Sequence, residues 1–150
     1  MPDRGPARTI VRLSLSSAAA RTLLDAAAEE AERIGVPVTI VVVDDSGVLK
    51  ALERMDGAPL VSIRTAQDKA YAAAAIGMAP DEFYAAIESD GAAVAAFASR
   101  PGLALIAGGM PIVSEGTVAG AVGVAGAMTG TEDRRIAEAA CTALKQLLEP

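Results

Sequence analysis

Residues 103–130 constrain the fold more than any other part of the chain, because they form three apolar runs separated by turns that contain glycine. Short apolar runs bounded by turn residues are typical of β-strands. Gly108 and Gly109 separate the first two runs, and Glu115 and Gly116 separate the next two. Gly116 accepts a positive φ without steric cost. The stretch therefore predicts three consecutive strands.

The last of these strands has one face that consists only of alanine and glycine. Side chains alternate along a strand, so the two faces are Ala119, Ala121, Gly123 and Ala125, and Val118, Gly120, Val122 and Val124. A face without large side chains lets a packed helix or a ligand approach the backbone closely. The sequence leaves both alternatives open, and it predicts that leucine in place of Ala121 destabilises the protein.

Helical periodicity and further apolar runs complete the pattern. The predicted elements are a polar arm at residues 1–9, a helix capped by Ser14 or Ser16, strands at residues 36–43 and 48–53, helices at residues 63–76, 81–88 and 92–98, and a last helix capped by Thr131. The strands follow one another in hairpins and are too apolar to face water. The sequence therefore favours an α/β fold in one domain, residues 1–150, with a five-stranded, mostly antiparallel sheet covered by helices on both faces.

Composition excludes several classes of partner. The net charge of −6 argues against nucleic acid and anionic membranes as partners, because both need a basic surface. No apolar run approaches the ~20 residues of a membrane span, and the first residues lack the apolar core of a signal peptide. The single cysteine, Cys141, cannot form an internal disulfide and is expected to be a buried, inert thiol. We therefore expect a cytoplasmic protein.

The 150 residues contain no histidine. Imidazole is the usual ligand of metals and haem and the usual general base near neutral pH. Chemistry in this chain must therefore use carboxylates, lysine, arginine, tyrosine, serine, cysteine or backbone groups. Asp44, Asp45 and Asp68 are scattered and form no recognisable ligand pattern, so no metal site is predicted.

Four ordered blocks of sequence resemble the GlcG/HbpS family, which includes the C-terminal domain of PduO-type proteins and is often labelled a haem-degrading domain. The blocks are residues 54–58, 66–70, 108–112 and 120–126, the last followed by Asp133. The resemblance implies a profilin-like α/β/α sandwich with strand order 2-1-5-4-3, and homo-oligomers from dimers to octamers. It also implies a ligand-binding role, since family members bind haem or assist cobalamin, glycolate or secondary-metabolite pathways.

The chain departs from this family at one important point. Haem-binding members use a histidine, typically in the first helix, and this sequence has none. Histidine-ligated haem is therefore excluded, which leaves only weak haem binding through residues such as Met78, Met110 or Tyr71. No cofactor is expected.

Four residues are candidates for catalysis, each with a structural alternative. Arg54 can clamp a substrate carboxylate and Asp56 can take a proton, or Asp56 can organise the turn and pair with Arg54. Lys69 can act as an electrostatic partner or a base, or it can extend along the helix surface towards water. Glu115 lies in a hairpin turn and is most simply a solvated carboxylate.

Five residues are candidates for ligand binding. Gly108, Gly109 and Gly126 can present backbone N–H groups to an anion, or they can supply φ values that other residues do not reach. Met110 and Tyr71 can line an apolar pocket, although methionine is more often a core residue that fills gaps.

The sequence supports two hypotheses about function. In the first, Arg54 and Lys69 converge beside Gly108 and Gly109 on an anionic ligand, in an isomerase, lyase or cyclase that transfers protons on a carboxylate or carbonyl substrate without a cofactor. In this hypothesis, replacing either cation by alanine weakens ligand binding without lowering stability. In the second, the protein is a non-catalytic accessory protein that binds a small molecule or haem.

Overall fold

The computed structural model describes residues 5–148, which form five helices and four strands. In chain order they are α1 (Ser17–Ile34), β1 (Thr39–Asp44), β2 (Leu49–Arg54), α2 (Ser62–Ile76), α3 (Pro80–Ile87), α4 (Gly91–Ala98), β3 (Gly109–Ser114), β4 (Thr117–Ala125) and α5 (Gly130–Leu148). The predicted arm at residues 1–9 lies partly outside the described residues, and residues 5–16 form neither helix nor strand. No helix within residues 5–148 has the length and apolar character needed to cross a membrane.

The sheet is antiparallel throughout, with strand order β2-β1-β4-β3. This confirms the predicted α/β class and, apart from one missing strand, the predicted order. The prediction of five strands is wrong, because residues 103–107 form a loop. Their apolar side chains are half-buried or exposed, and these residues do not belong to a strand. An apolar run alone does not distinguish a loop of this kind from a strand.

Helices cover both faces of the sheet, as predicted. Helices α1 and α5 pack together on one face, where leucine, isoleucine and valine side chains such as Leu23, Ile40 and Ile136 form the larger core. Ser16 caps α1 as predicted, since its hydroxyl accepts a hydrogen bond from the Ala19 N–H at 3.1 Å. On the other face, α2 packs on β4 and β1 through a smaller core of alanine and valine.

A bulge in β4 changes which face its first residues occupy. The pairing with β3 shifts between Ile112 and Val113, so Ala119 is an extra residue in the ladder. Ala119 consequently packs in the core under α1 and α5, and Val118 points towards the end of α2, within contact distance of the Gly77 position. The prediction that Ala119 shares a face with Ala121 is therefore wrong, since a bulge reverses the alternation of side chains.

The small face of β4 receives a helix. A methyl group at Gly123 would collide with the Ala66 carbonyl oxygen and would lie 2.6 Å from the Ala70 nitrogen, both in α2. Ala121 and Ala125 lie on the same face in the smaller core. The absence of large side chains thus lets the backbones of α2 and β4 approach each other, and this settles the first alternative left open by the sequence.

We predict that Gly123→Ala lowers the free energy of unfolding by ~2 kcal/mol or more, because the collision involves backbone atoms that cannot move independently. Gly91→Ala is the matched control, since a methyl group there meets no atom within 4 Å. Urea unfolding of both variants provides the measurement. Equal stability of the two variants would contradict the close packing of α2 on β4.

Candidate functional site

Lys69 is buried in the centre of the structure, with 2% of its surface exposed. It lies in α2 among the small residues Ala66, Ala70 and Ala73, which face the sheet. Helix α2 therefore carries Lys69 over the end of β4. The alternative in which this lysine extends towards water is wrong, because the spacing that directs the alanines towards β4 also directs Lys69 inwards.

The Lys69 ammonium group has two strong partners. Its Nζ donates to Asp133 Oδ2 and to the Val124 carbonyl oxygen, both at 2.9 Å. An ammonium group has three N–H donors. Within residues 5–148 the structure gives this group two acceptors, so its third N–H has no protein acceptor there.

Asp133 lies in the first turn of α5 and is 4% exposed. Its Oδ1 accepts a hydrogen bond from the Ala127 N–H at 3.0 Å. Thr129 accepts a hydrogen bond from the Glu132 N–H at 3.3 Å, so Thr129 caps this helix and the predicted cap at Thr131 is wrong by two residues. Burial raises the pKa of Asp133 above its ordinary value of 3.8, because desolvation of the carboxylate outweighs the favourable hydrogen bond and charge of Lys69.

The double glycine makes room for this ion pair. A methyl group at Gly108 would lie 2.8 Å from Lys69 Nζ, and one at Gly109 would lie 2.5 Å from the Lys69 carbonyl oxygen. Gly108 also has φ 124°, which side chains disfavour. The structure thus places Lys69 beside Gly108 and Gly109, as the sequence predicted. The two glycines leave space for the lysine, whereas the role of their N–H groups as donors to an anion stays a prediction. The Gly108 carbonyl oxygen accepts a hydrogen bond from the Val124 N–H.

A cleft with a volume of about 480 Å³ opens above the ion pair, and we call it the Lys69 cleft. Its lining includes Lys69 and Asp133, apolar residues from several segments, and the first residues of α2 and α5. Gly126, another predicted ligand-binding residue, contributes to its wall with φ 130°. Two helix N-termini carry partial positive charge towards this cleft, which favours a ligand with an anionic group.

Arg54 and Asp56 lie elsewhere. Arg54 lines a separate, shallow cavity of about 330 Å³ together with Asp56 and Glu32. Its guanidinium group donates to the Ala58 carbonyl oxygen at 3.2 Å, whereas the predicted structural alternative was a pair with Asp56. The structure therefore does not bring Arg54 to Lys69, because the end of β2 and the turn after it direct this side chain to a different cavity.

The other three candidates are also separate from the Lys69 cleft. Glu115 is exposed in the tight turn between β3 and β4, with φ 49°, at the opposite end of β4 from Val124. Tyr71 lines a cavity beside β2, where its ring packs against Gly47. Met110 packs against the larger core on the face of α1 and α5.

Neither cysteine nor metal chemistry gains support from the structure. Cys141 is half-buried, where a buried thiol was predicted, and desolvation raises the pKa of its thiol to about 12, which disfavours the reactive thiolate. Within the described residues, no three side chains of the metal-binding types lie close enough together to hold an ion.

Asp133 is the functional candidate that the sequence analysis did not select. A carboxylate near the start of a helix interacts favourably with the helix dipole, which by itself does not indicate a site. One feature of the sequence could have identified Asp133, because it follows the last block that resembles the family. In the sequence it lies 64 residues after Lys69.

We predict that Lys69→Met and Asp133→Asn each lower the free energy of unfolding by ~3–5 kcal/mol, since each leaves a buried polar partner without its counterion. The double variant Lys69→Met/Asp133→Leu is expected to lose less than the sum of the single losses. Arg64→Ala is the control, because it breaks an exposed ion pair with Asp68, worth at most ~1 kcal/mol. This replaces the expectation that loss of Lys69 leaves stability unchanged. Losses at Lys69 and Asp133 as small as the loss at Arg64 would contradict the buried pair.

Comparison with known proteins gives consistent matches over most of the chain. Protein GlcG of Escherichia coli strain K12 is 37% identical over 113 residues, which cover 75% of this chain and 82% of GlcG. A double mutant of HbpS from Streptomyces reticuli has a similar structure, with a TM-score of 0.84 at 30% identity over 96% of this chain and 97% of HbpS. The structure of a PduOC:Heme complex is also similar, with a TM-score of 0.78 at 28% identity over 87% of this chain and 95% of that one.

The family model described as "Haem degrading protein HbpS-like" matches residues 15–142, a range that begins before α1 and extends into α5. The matched range therefore includes all four strands and both residues of the buried ion pair. On this evidence the chain is a member of the HbpS-like family, to which its GlcG-like sequence blocks and its α/β fold also point.

Proposed function

We propose that this protein binds a small organic acid with a carbonyl group in the Lys69 cleft and transfers a proton on it without a cofactor. The observation that carries the proposal is a buried Lys69–Asp133 ion pair at the floor of a mostly apolar cleft. Buried ionisable groups with a perturbed pKa are enriched at catalytic sites. In this mechanism Lys69 has the role of electrostatic partner that the sequence suggested. Asp133 takes the place of Arg54 and Asp56, and Glu115 has no role.

Charge and geometry support an acid as the ligand. The ion pair is neutral as a whole, and the N-termini of α2 and α5 add partial positive charge. In the proposed complex, the third N–H of Lys69 gives the bound carbonyl or carboxylate oxygen a donor in a mostly apolar cleft. A hydrogen bond from a charged donor is stronger there than at the surface.

The proton-transfer step needs only these two side chains. Asp133 removes a proton from the carbon next to the carbonyl group, and the electron pair of that C–H bond forms an enolate. The enolate oxygen accepts a hydrogen bond from Lys69, which stabilises the developing negative charge. Asp133 then returns the proton to the same carbon or to another carbon of the conjugated system, so no oxidant, reductant or second substrate is required. A raised pKa suits Asp133 to this task, because a carboxylate with a higher pKa is a stronger base.

The second candidate function is non-catalytic binding of a small molecule or haem, which the similarity to the PduOC:Heme complex supports. The donor atoms of this chain do not fit histidine-ligated haem, since the sequence has no histidine. The other donors are also poorly arranged. Two bonds hold Lys69, Tyr71 lines a different cavity, and Met128 is 96% exposed at the edge of the Lys69 cleft.

We also propose that the protein forms homo-oligomers and that it is located in the cytoplasm. An unusual property of α4 supports assembly: its sequence is almost entirely apolar, yet none of its residues is buried. A second copy packed against α4 would remove this apolar surface from water.

We predict that the protein catalyses exchange of hydrogen for deuterium at C3 of small 2-oxo acids in D2O, measured by proton NMR. The proton that Asp133 takes from carbon is replaced by deuterium from the solvent before the enolate is protonated again. Asp133→Asn is expected to reduce the exchange rate by ~10²-fold or more, the usual contribution of a general base. Asp68→Asn is the matched control, because that carboxylate belongs to an exposed ion pair. The rate should fall as the pH is lowered through the raised pKa of Asp133, since only the carboxylate accepts a proton.

Two outcomes would contradict catalysis. One is exchange that proceeds equally in wild type and Asp133→Asn, provided that both variants are folded. The other is saturable binding of a 2-oxo acid in the Lys69 cleft without exchange, which would favour the non-catalytic alternative.

For haem, we predict weak association and no spectrum of a histidine-ligated complex when hemin is added to the purified protein. The Soret band measures both properties. A tight stoichiometric complex with low-spin bands would overturn this prediction and would direct attention to Met78, Met110 and Tyr71.

A further inference from the structure

The mouth of the Lys69 cleft is lined by exposed apolar side chains. Val61 is 72% exposed, Ile106 is 53% exposed and Met128 is 96% exposed, and all three line this cleft. Leu60, next to Val61 in the chain, is 73% exposed. Single exposed apolar residues are ordinary, but several around one opening indicate a binding surface.

These residues come from three separate parts of the chain. Val61 immediately precedes α2, Ile106 lies in the loop that replaces the expected third strand, and Met128 lies just before α5. The fold therefore gathers them around the cleft. We call Val61, Ile106 and Met128 the apolar rim.

The cleft thus has two chemically different zones. Its floor carries Lys69 and Asp133, which are 2% and 4% exposed, and its mouth carries the apolar rim. A ligand that matches both zones has a polar end with negative charge and an apolar remainder. A short acid such as 2-oxobutanoate would fill the floor and leave the rim in contact with water.

We propose that the preferred ligands are 2-oxo acids with an aliphatic chain long enough to cover the apolar rim. The carboxylate and carbonyl oxygens lie at the floor of the cleft, near the free N–H of Lys69, and the chain leaves along Ile106 and Met128. This inference rests on the proposed function, since it specifies the substrate class of the same site. The cavity volume of about 480 Å³ lies within the 300–1,000 Å³ range of small-molecule sites.

The test compares the binding of 2-oxobutanoate, 2-oxohexanoate and 2-oxooctanoate to the full chain by titration calorimetry. Burial of one methylene group contributes ~0.8 kcal/mol, so affinity is expected to rise by up to about fourfold for each methylene that reaches the rim. Ile106→Ser and Met128→Ser should reduce this increase of affinity with chain length. Leu147→Ser is the matched control, because Leu147 is 70% exposed in the last turn of α5, far from the cleft.

Three results would overturn the inference. Affinity that is independent of chain length would show that the rim does not contact the ligand. Equal affinity for 1-octanol and 2-oxooctanoate would show that the floor does not recognise the acid. A dimer in sedimentation experiments that Met128→Asp dissociates would show that a second copy covers the rim.

Failure of this inference is distinguishable from failure of the proposed function. The dependence on chain length tests the rim, whereas hydrogen–deuterium exchange that requires Asp133 tests proton transfer at the floor. Exchange with short 2-oxo acids and no dependence on length would preserve the proposed function alone.

Discussion

The buried ion pair between Lys69 and Asp133 is the interaction on which the architecture of this protein's central region depends. It joins α2 to α5 across the end of β4, where Lys69 also binds the Val124 carbonyl oxygen. Three elements that are distant in sequence therefore meet at one ammonium group. The glycines at 108 and 109 are required there because any side chain would occupy the space of the lysine.

Holding helices together with a buried ion pair has a large cost in desolvation free energy. Removing two charges from water costs several kcal/mol per ion, and well-packed apolar residues often stabilise a fold equally well. Burial raises the pKa of Asp133 although Lys69 lies beside it, because desolvation of the carboxylate outweighs the favourable charge and hydrogen bond of the lysine. Because apolar residues could hold these helices together equally well, we propose that the pair serves ligand binding, and the proposed function centres on it.

The sequence predicted the fold well where local patterns determine it. Helical periodicity located all five helices, and the hairpin between β3 and β4 followed from Glu115 and Gly116. The failures have physical causes that are not local. Residues 103–107 form a loop although they are apolar, and the displaced face of Ala119 results from a bulge that depends on pairing with β3. For the proposed site, the sequence predicted that Lys69 lies beside Gly108 and Gly109, as it does in the structure. The pairing of Lys69 with Asp133 could not be predicted, because it depends on the return of α5 to α2.

The central claim is that Asp133 and Lys69 form a ligand site, and NMR titration of the Asp133 carboxyl carbon tests it most directly. The resonance can be assigned by its absence in Asp133→Asn. The account predicts that it titrates above pH 3.8 and that adding 2-oxohexanoate changes its chemical shift and its pKa. A carboxyl group that titrates at or below 3.8 and does not respond to the 2-oxo acid would contradict the account.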